Sequence, residues 1–146
     1  MAYLLDTCAL SEPTKESPNP GVVAFLNQLI SLDAFISTIT LAEIWKGIEL
    51  RPISRRRARL EQWFEKDLLL RFDGRILIFD VAIALRLGTL TATLIRGGWT
   101  MPIFDSFIAA TALTHDLTLV TRNESDFAHA GVRILNPWKS SPANYR

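Results

Sequence analysis

The chain has 146 residues, with 16 Lys and Arg against 15 Asp and Glu, and 49% of it is apolar. Such a length suits one domain that buries most of its unfolded surface without help from metals or disulfides, and the composition excludes a disordered or fibrous protein. A net charge of +1 excludes a polycation that holds nucleic acid by bulk attraction, but not a nucleic-acid enzyme, because a sum of charges says nothing of where they sit.

Tyr3-Leu4-Leu5 is a short apolar run closed by Asp6, and it reads as a first buried strand. Met1–Leu5 lacks the basic start and long apolar run of a secretory signal, and Pro18–Gly21 interrupts the longest charge-free stretch, so a soluble, cytoplasmic protein is expected. Asn19-Pro20 is a helix-start pair, opening a helix that carries Val22, Val23, Phe25, Leu26, Leu29 and Ile30. Ala34–Ser37 is the second strand. Thr40-x-x-Glu43 has the form of a capping box, which predicts a helix from Thr40 to about Arg51-Pro52.

Ser54 caps the next helix, where Leu60, Trp63, Phe64 and Leu68 recur at helical spacing. Ile76–Phe79 is a third strand, closed by Asp80, which reads as a helix cap. The following helix shows Val81, Leu85, Gly88, Ala92 and Ile95 on one side and ends at Gly97-Gly98. Pro102 opens a helix through His115 with Asp105, Ala109 and Ala112 on one face. Leu117–Val120, followed by Thr121, is the fourth strand, and Val132–Leu135 the fifth. Strands alternating with helices predict an α/β domain with a mainly parallel sheet covered on both faces. No linker or repeat divides the chain, so one domain over residues 1–139 and a short tail over 140–146 are expected.

In open parallel sheets ligands bind beyond the carboxyl ends of the strands, near the switch in strand order. Asp6, Asp80 and Asn123 follow strands one, three and four, and Glu43 and Asp105 lie in the first turns of helices that can reach the same edge. Carboxylates gathered in one crevice repel one another unless a cation joins them, and oxygen-only ligation suits Mg²⁺ or Mn²⁺. Each acid also has a structural role open to it. Asp6 can cap the turn after its strand, Glu43 can complete the capping box, Asp105 can favour a helix start, and Asn123 or Asp126 can begin the segment Glu124–Ala130. These rules predict an acidic edge without selecting its members.

Other chemistries find less support. There is no Gly-rich phosphate loop, and Cys8 stands where a haloacid-dehalogenase-like phosphatase would place a second Asp. His115 and His129 lie outside zinc-ligand spacing, with His129 expected at the surface, and Ser106 and Ser125 lack a nucleophile-elbow signature. Cys8, the single cysteine, reads as a packed thiol. Trp45, Trp63, Trp99 and Trp138 fit core or interface positions, with base stacking as the functional alternative. Arg51, Arg55, Arg56, Arg57 and Arg59 crowd a helix start as a solvated face, a phosphate contact or a pairing surface for an acidic partner.

Taken in order, LLDTCALSEP, STITLAEI, MPIFDSFIAATAL and LTLVTRNESDF resemble the PIN-domain family, most closely the VapC-like toxins of bacterial toxin–antitoxin pairs. The resemblance runs from Leu4 to Asn136-Pro137-Trp138. It implies a PIN-like α/β/α sandwich and a Mg²⁺-dependent endoribonuclease, with Mn²⁺ as a possible substitute. Asp6 and Asp105 would hold the metal, Glu43 would place water or a second ion, and Asp126 or Asn123 would complete the site. Asn123 stands where many relatives have Asp, and Cys8 where Asn or Ser is common. Thr7 and Thr121 would supply supporting hydroxyls, while Asp80 stays structural. Such an enzyme would use in-line attack, leaving a 5′-phosphate and a 3′-hydroxyl. The resemblance further implies a homodimer silenced by an antitoxin segment reaching into the acidic cleft. A catalytically weak module that binds RNA or protein, or a metal-dependent phosphatase or DNA nuclease, would share these acids.

Overall fold

A computed structural model describes residues 1–29 and 31–139. The order of elements is β1 (Tyr3–Leu5), α1 (Thr7–Ser11), α2 (Pro20–Gln28), β2 (Ala34–Ser37), α3 (Thr38–Glu49), α4 (Arg55–Gln62), α5 (Leu69–Arg71), β3 (Ile76–Leu77), α6 (Val81–Arg96), α7 (Ile103–Thr114), β4 (Thr118–Val120) and β5 (Ile134–Leu135). Ile30, expected on the apolar face of the second helix, and the tail from Ser140 lie outside the described residues.

The sheet is parallel throughout, in the order β3-β2-β1-β4-β5. β1 therefore has β2 on one side and β4 on the other, with Leu4 opposite Phe35 and Leu119. Chain order reverses between β1 and β4, which opens a crevice beyond their carboxyl ends. Apolar side chains fill both faces of the sheet: Leu5, Ile36, Phe64 and Phe72 are buried in one layer, and Leu4, Ile108, Leu119 and Phe127 in the other. No helix among the described residues is long and apolar enough to cross a membrane.

Four local expectations are corrected. The helix after β2 starts two residues before Thr40: the Ser37 hydroxyl accepts from the Ile39 N–H at 3.0 Å, so Ser37 is the cap. The third strand ends at Leu77, and Phe79 leaves the sheet to pack edge-on against Phe107 at 5.1 Å. On α6 the buried residues are Ile83, Leu90 and Leu94, whereas Val81, Leu85 and Ile95 are 75%, 70% and 72% exposed. The side that carries Val81, Leu85 and Ile95 therefore faces outward. Finally, Asp6 is followed by a helix, α1, that the apolar pattern did not reveal.

Residues Trp63–Leu68 continue α4 as a π-helical turn before α5. Leu60, Phe64, Leu68 and Phe72 are all buried and recur every fourth residue, a spacing that drifts around a 3.6-residue helix. The wider i→i+5 winding compensates that drift and keeps the four side chains on the core.

Candidate functional site

β1 delivers Asp6 to the crevice at the switch point, where it is 5% exposed. Its Oδ1 accepts from the Thr7 N–H at 2.8 Å, capping α1, and its Oδ2 accepts from the Thr121 hydroxyl at 2.8 Å. The structural and functional roles considered for Asp6 thus fall on different oxygens. Thr121, just past β4, is itself fixed by the Asn123 N–H, which donates to its Oγ1 at 3.1 Å. Burial pushes the Asp6 carboxyl above its usual pKa, against the hydrogen bonds from Thr121 and Thr7, and the charge of Asp126 adds to the rise.

With Ser37 as cap, Glu43 is released from the capping box. It lies half-buried in the second turn of α3, and the Thr7 hydroxyl donates to its Oε1 at 3.1 Å. Burial raises its pKa, the Thr7 hydrogen bond opposes the rise, Asp6 adds to it and Lys46 lowers it. Lys46, one turn on and 5.6 Å from the Phe104 ring centre, escaped the sequence reading. Its signal was the Glu43-x-x-Lys46 spacing on one helix face.

Asp105 enters from the first turn of α7, and its pKa is pushed up to about 6, chiefly by burial and then by the charges of Asp6, Asp126 and Glu43. Asp126 stands on a 3₁₀ turn, Glu124–Phe127, and acts electrostatically on both Asp6 and Asp105. Asn123 contributes its backbone N–H to Thr121, and its side chain caps nothing. The structure thus sets Asp105 within electrostatic reach of Asp6, Glu43 and Asp126, and Asp6 within reach of Asp126 and Glu43. Asp80 stays apart as the cap of α6, accepting from the Ile83 N–H at 3.0 Å.

Cys8 is closer to the site than its packed-thiol reading suggests. Its Sγ lies 3.8 Å from Asp6 Oδ2 and 3.6 Å from Thr121 Oγ1, and it accepts from the Arg122 N–H at 3.5 Å. Cys8 thus joins the hydrogen-bonding around Asp6 and Thr121, in the long geometry of sulfur. Burial and the Asp6 charge raise its pKa, which keeps it a thiol. Ser106 is ruled out as a nucleophile, since its hydroxyl is buried and donates to the Ile103 carbonyl at 2.6 Å.

Among the described residues, no three His, Cys, Asp or Glu side chains are grouped to grip a metal ion by themselves. Mg²⁺ does not require such a cage, because it retains several waters and commonly takes one or two carboxylates. An all-oxygen donor set whose members raise one another's pKa fits a hard divalent cation better than a soft one.

The arginine cluster divides. Arg57 is held by Glu61 at 2.9 Å, by Glu49 at 3.3 Å and by the Arg51 carbonyl at 3.1 Å, and Arg56 donates to the Thr14 carbonyl at 2.7 Å. Arg56 and Arg59, with Leu10, Leu26, Trp63 and Phe72, line a cleft of about 380 Å³ between α1–α2 and α4–α5. A second cleft of about 170 Å³ shares Thr14, Leu60 and Trp63 with it and reaches Thr7 and Glu43.

A doubly wound parallel sheet with four acids converging at its β1–β4 switch point defines a recognisable class. Residues 3–132 match the PIN domain, and the chain belongs to that family. It is 38% identical to the toxin FitB of Neisseria gonorrhoeae over 92% of this chain and 97% of that protein. It is 33% identical to the VapC ribonuclease Y4jK of Sinorhizobium fredii, over 93% and 97% of the two chains. The crystal structure of FitAcB from Neisseria gonorrhoeae superposes with a TM-score of 0.90 at 38% identity, covering 94% of this chain and 99% of that one. The relatives are toxins of toxin–antitoxin systems, and names among them support a nuclease.

Proposed function

We propose that this protein is the toxin of a toxin–antitoxin pair and acts as a Mg²⁺-dependent endoribonuclease, with Mn²⁺ able to substitute. The observation that carries this reading is the mutual electrostatic coupling of Asp6, Glu43, Asp105 and Asp126 at the switch point. Nothing in the packing rewards such an arrangement, since buried like charges destabilise the fold unless a cation or a phosphate chemistry requires them.

Asp6 and Asp105 would hold the metal, which when bound supplies a water of lowered pKa and neutralises charge on the scissile phosphate. Thr121 fixes Asp6 Oδ2, and the Thr7 backbone fixes Oδ1, so the carboxylate is presented in one orientation. Glu43, oriented by the Thr7 hydroxyl, would position that water or a second ion and could take up its proton. Asp126 would complete the acidic set, because its charge reaches Asp6 and Asp105, with Asn123 as the alternative. Cleavage in line would leave a 5′-phosphate and a 3′-hydroxyl, and such a substrate would suit a cytoplasmic protein.

Two partners follow. The paired clefts form one path from an apolar, arginine-rimmed pocket to Glu43, which suits an amphipathic segment of a cognate antitoxin. The exposed apolar face of α6, with Val81, Leu85 and Ile95, suits a second copy of this chain. The test of the activity is cleavage mapping on total RNA with Mg²⁺, with a chelator, and with Asp6→Asn. Cleavage confined to the first condition is expected. Cleavage that survives chelation and the substitution overturns the metal mechanism, and tight RNA binding without cleavage favours a binding module.

A further inference from the structure

Trp99 stands outside both core layers, yet its position is closely built. α6 ends in a Schellman motif: the Trp99 N–H donates to the Leu94 carbonyl at 2.9 Å, the Gly98 N–H to the Ile95 carbonyl at 3.0 Å, and Gly98 has φ +79°. This reversal folds Trp99 back over the end of its own helix. Gly97 leaves room for the ring, since a Cβ there would meet Trp99 Cδ1 at 3.1 Å. The indole lies face to face on the His129 imidazole, with ring centres 3.5 Å apart and planes 14° from parallel.

The pair is open to solvent, with Trp99 48% exposed and His129 exposed as well. It forms one wall of a cleft of about 110 Å³ whose other lining includes Pro102, Ser125 and Asp126. Asp126 is the acid that acts on Asp6 and Asp105, so the aromatic wall adjoins the acidic cluster. A flat, exposed aromatic surface beside an acidic centre matches the chemistry of a single-stranded polynucleotide, whose bases stack on aromatic rings while its phosphate lies at the neighbouring site.

We infer that the Trp99–His129 pair is a stacking subsite for a base of single-stranded RNA next to the scissile phosphate. The inference rests on the ribonuclease reading. Stacking needs only a π face, so the subsite tolerates any base and positions the strand without reading its sequence. Packing alone would ask the pair to brace the Asp126 turn, a role indifferent to RNA.

The test uses the full chain carrying Asp6→Asn, with Mg²⁺, titrated with a short unstructured oligoribonucleotide. Tryptophan fluorescence is expected to be quenched, with the quench absent in Trp99→Leu and RNA affinity there lowered about tenfold or more. Trp99→Phe is expected to restore most of the affinity. An abasic ribose-phosphate oligomer is expected to bind the unsubstituted Trp99 protein only as well as RNA binds Trp99→Leu, a comparison that needs no folded variant at position 99. In the cleaving protein, Trp99→Leu is expected to raise KM with kcat little changed. Equal RNA affinity in Trp99→Leu and Trp99→Phe, or equal binding of the abasic oligomer and RNA, overturns the subsite. Cleavage with an unchanged KM in Trp99→Leu overturns the subsite and leaves the ribonuclease standing. A quench at Trp99 without cleavage by the unsubstituted protein does the reverse.

Discussion

Asp105→Asn should stabilise the metal-free protein, because the site stores repulsion that the fold does not need. The carboxyl titrates near 3.8 when unperturbed and at about 6 in the folded chain, through burial first and then the charges of Asp6, Asp126 and Glu43. Between those pH values the native state holds a proton that the unfolded chain has released. Native stability is therefore fullest below about pH 4, falls as the pH rises to 6, and is level beyond it. A tenfold difference in proton affinity between the folded and unfolded chains is worth roughly 1.4 kcal/mol. Asp105 is only half-buried, so solvent screening reduces the loss at neutral pH to about 1–2 kcal/mol, or ~2–8 °C in Tm for a chain of this size. The assay is thermal or urea unfolding of both proteins in chelator at pH 4 and pH 7.5. The variant should be the more stable at pH 7.5, with the gap closing at pH 4. Added Mg²⁺ or Mn²⁺ should then raise the unsubstituted protein more than the variant. A variant no more stable at pH 7.5, or a gap that does not change with pH, would refute the repulsion argument.

Other outcomes follow from single contacts. Asp6→Asn should fold with a loss within about 1 kcal/mol, because Asn also caps a helix, while cleavage falls to background; denaturation and RNA assays read the two separately. Thr121→Val removes the donor to Asp6 Oδ2 and should lower metal affinity or activity about 10- to 100-fold. It should also move the acid limb of the pH–rate profile upward, since that hydrogen bond holds the Asp6 pKa down. Ser37→Ala should cost about 1 kcal/mol by urea unfolding, as the loss of a true cap. Thr40→Val should be neutral or stabilising, because the buried Thr40 hydroxyl has no hydrogen-bond partner among the described residues, whereas a capping box at Thr40 would make it costly.

Alternation of strands and helices was enough to predict a parallel α/β sheet, because a βαβ crossover admits little else. It also placed Asp6 and Thr121 at strand ends, since a short apolar run followed by a polar residue marks where a buried strand emerges. Family-level resemblance narrowed the acidic edge to particular residues, which the periodic pattern alone did not. What the chain could not specify locally was decided by packing. α6 is apolar nearly all round, with Val81, Ile83, Leu85, Leu90, Leu94 and Ile95, so periodicity had two faces to choose from. Packing in the layer that holds Ile108 of α7 and Leu4 and Leu119 of the sheet buried Leu90 and Leu94, and Ile83 is buried on the same helix. Glu43 looked like a capping residue until the end of β2 fixed Ser37 as the cap, a boundary set by strand pairing with β1 and β3. The reach of Asp126 to Asp6 and Asp105 depends on the path of a 3₁₀ turn, and the raised Asp105 pKa on burial beside three acids from distant segments. Local sequence governs propensity and capping, but a group's charge state and partners depend on which remote segments the fold sets against it.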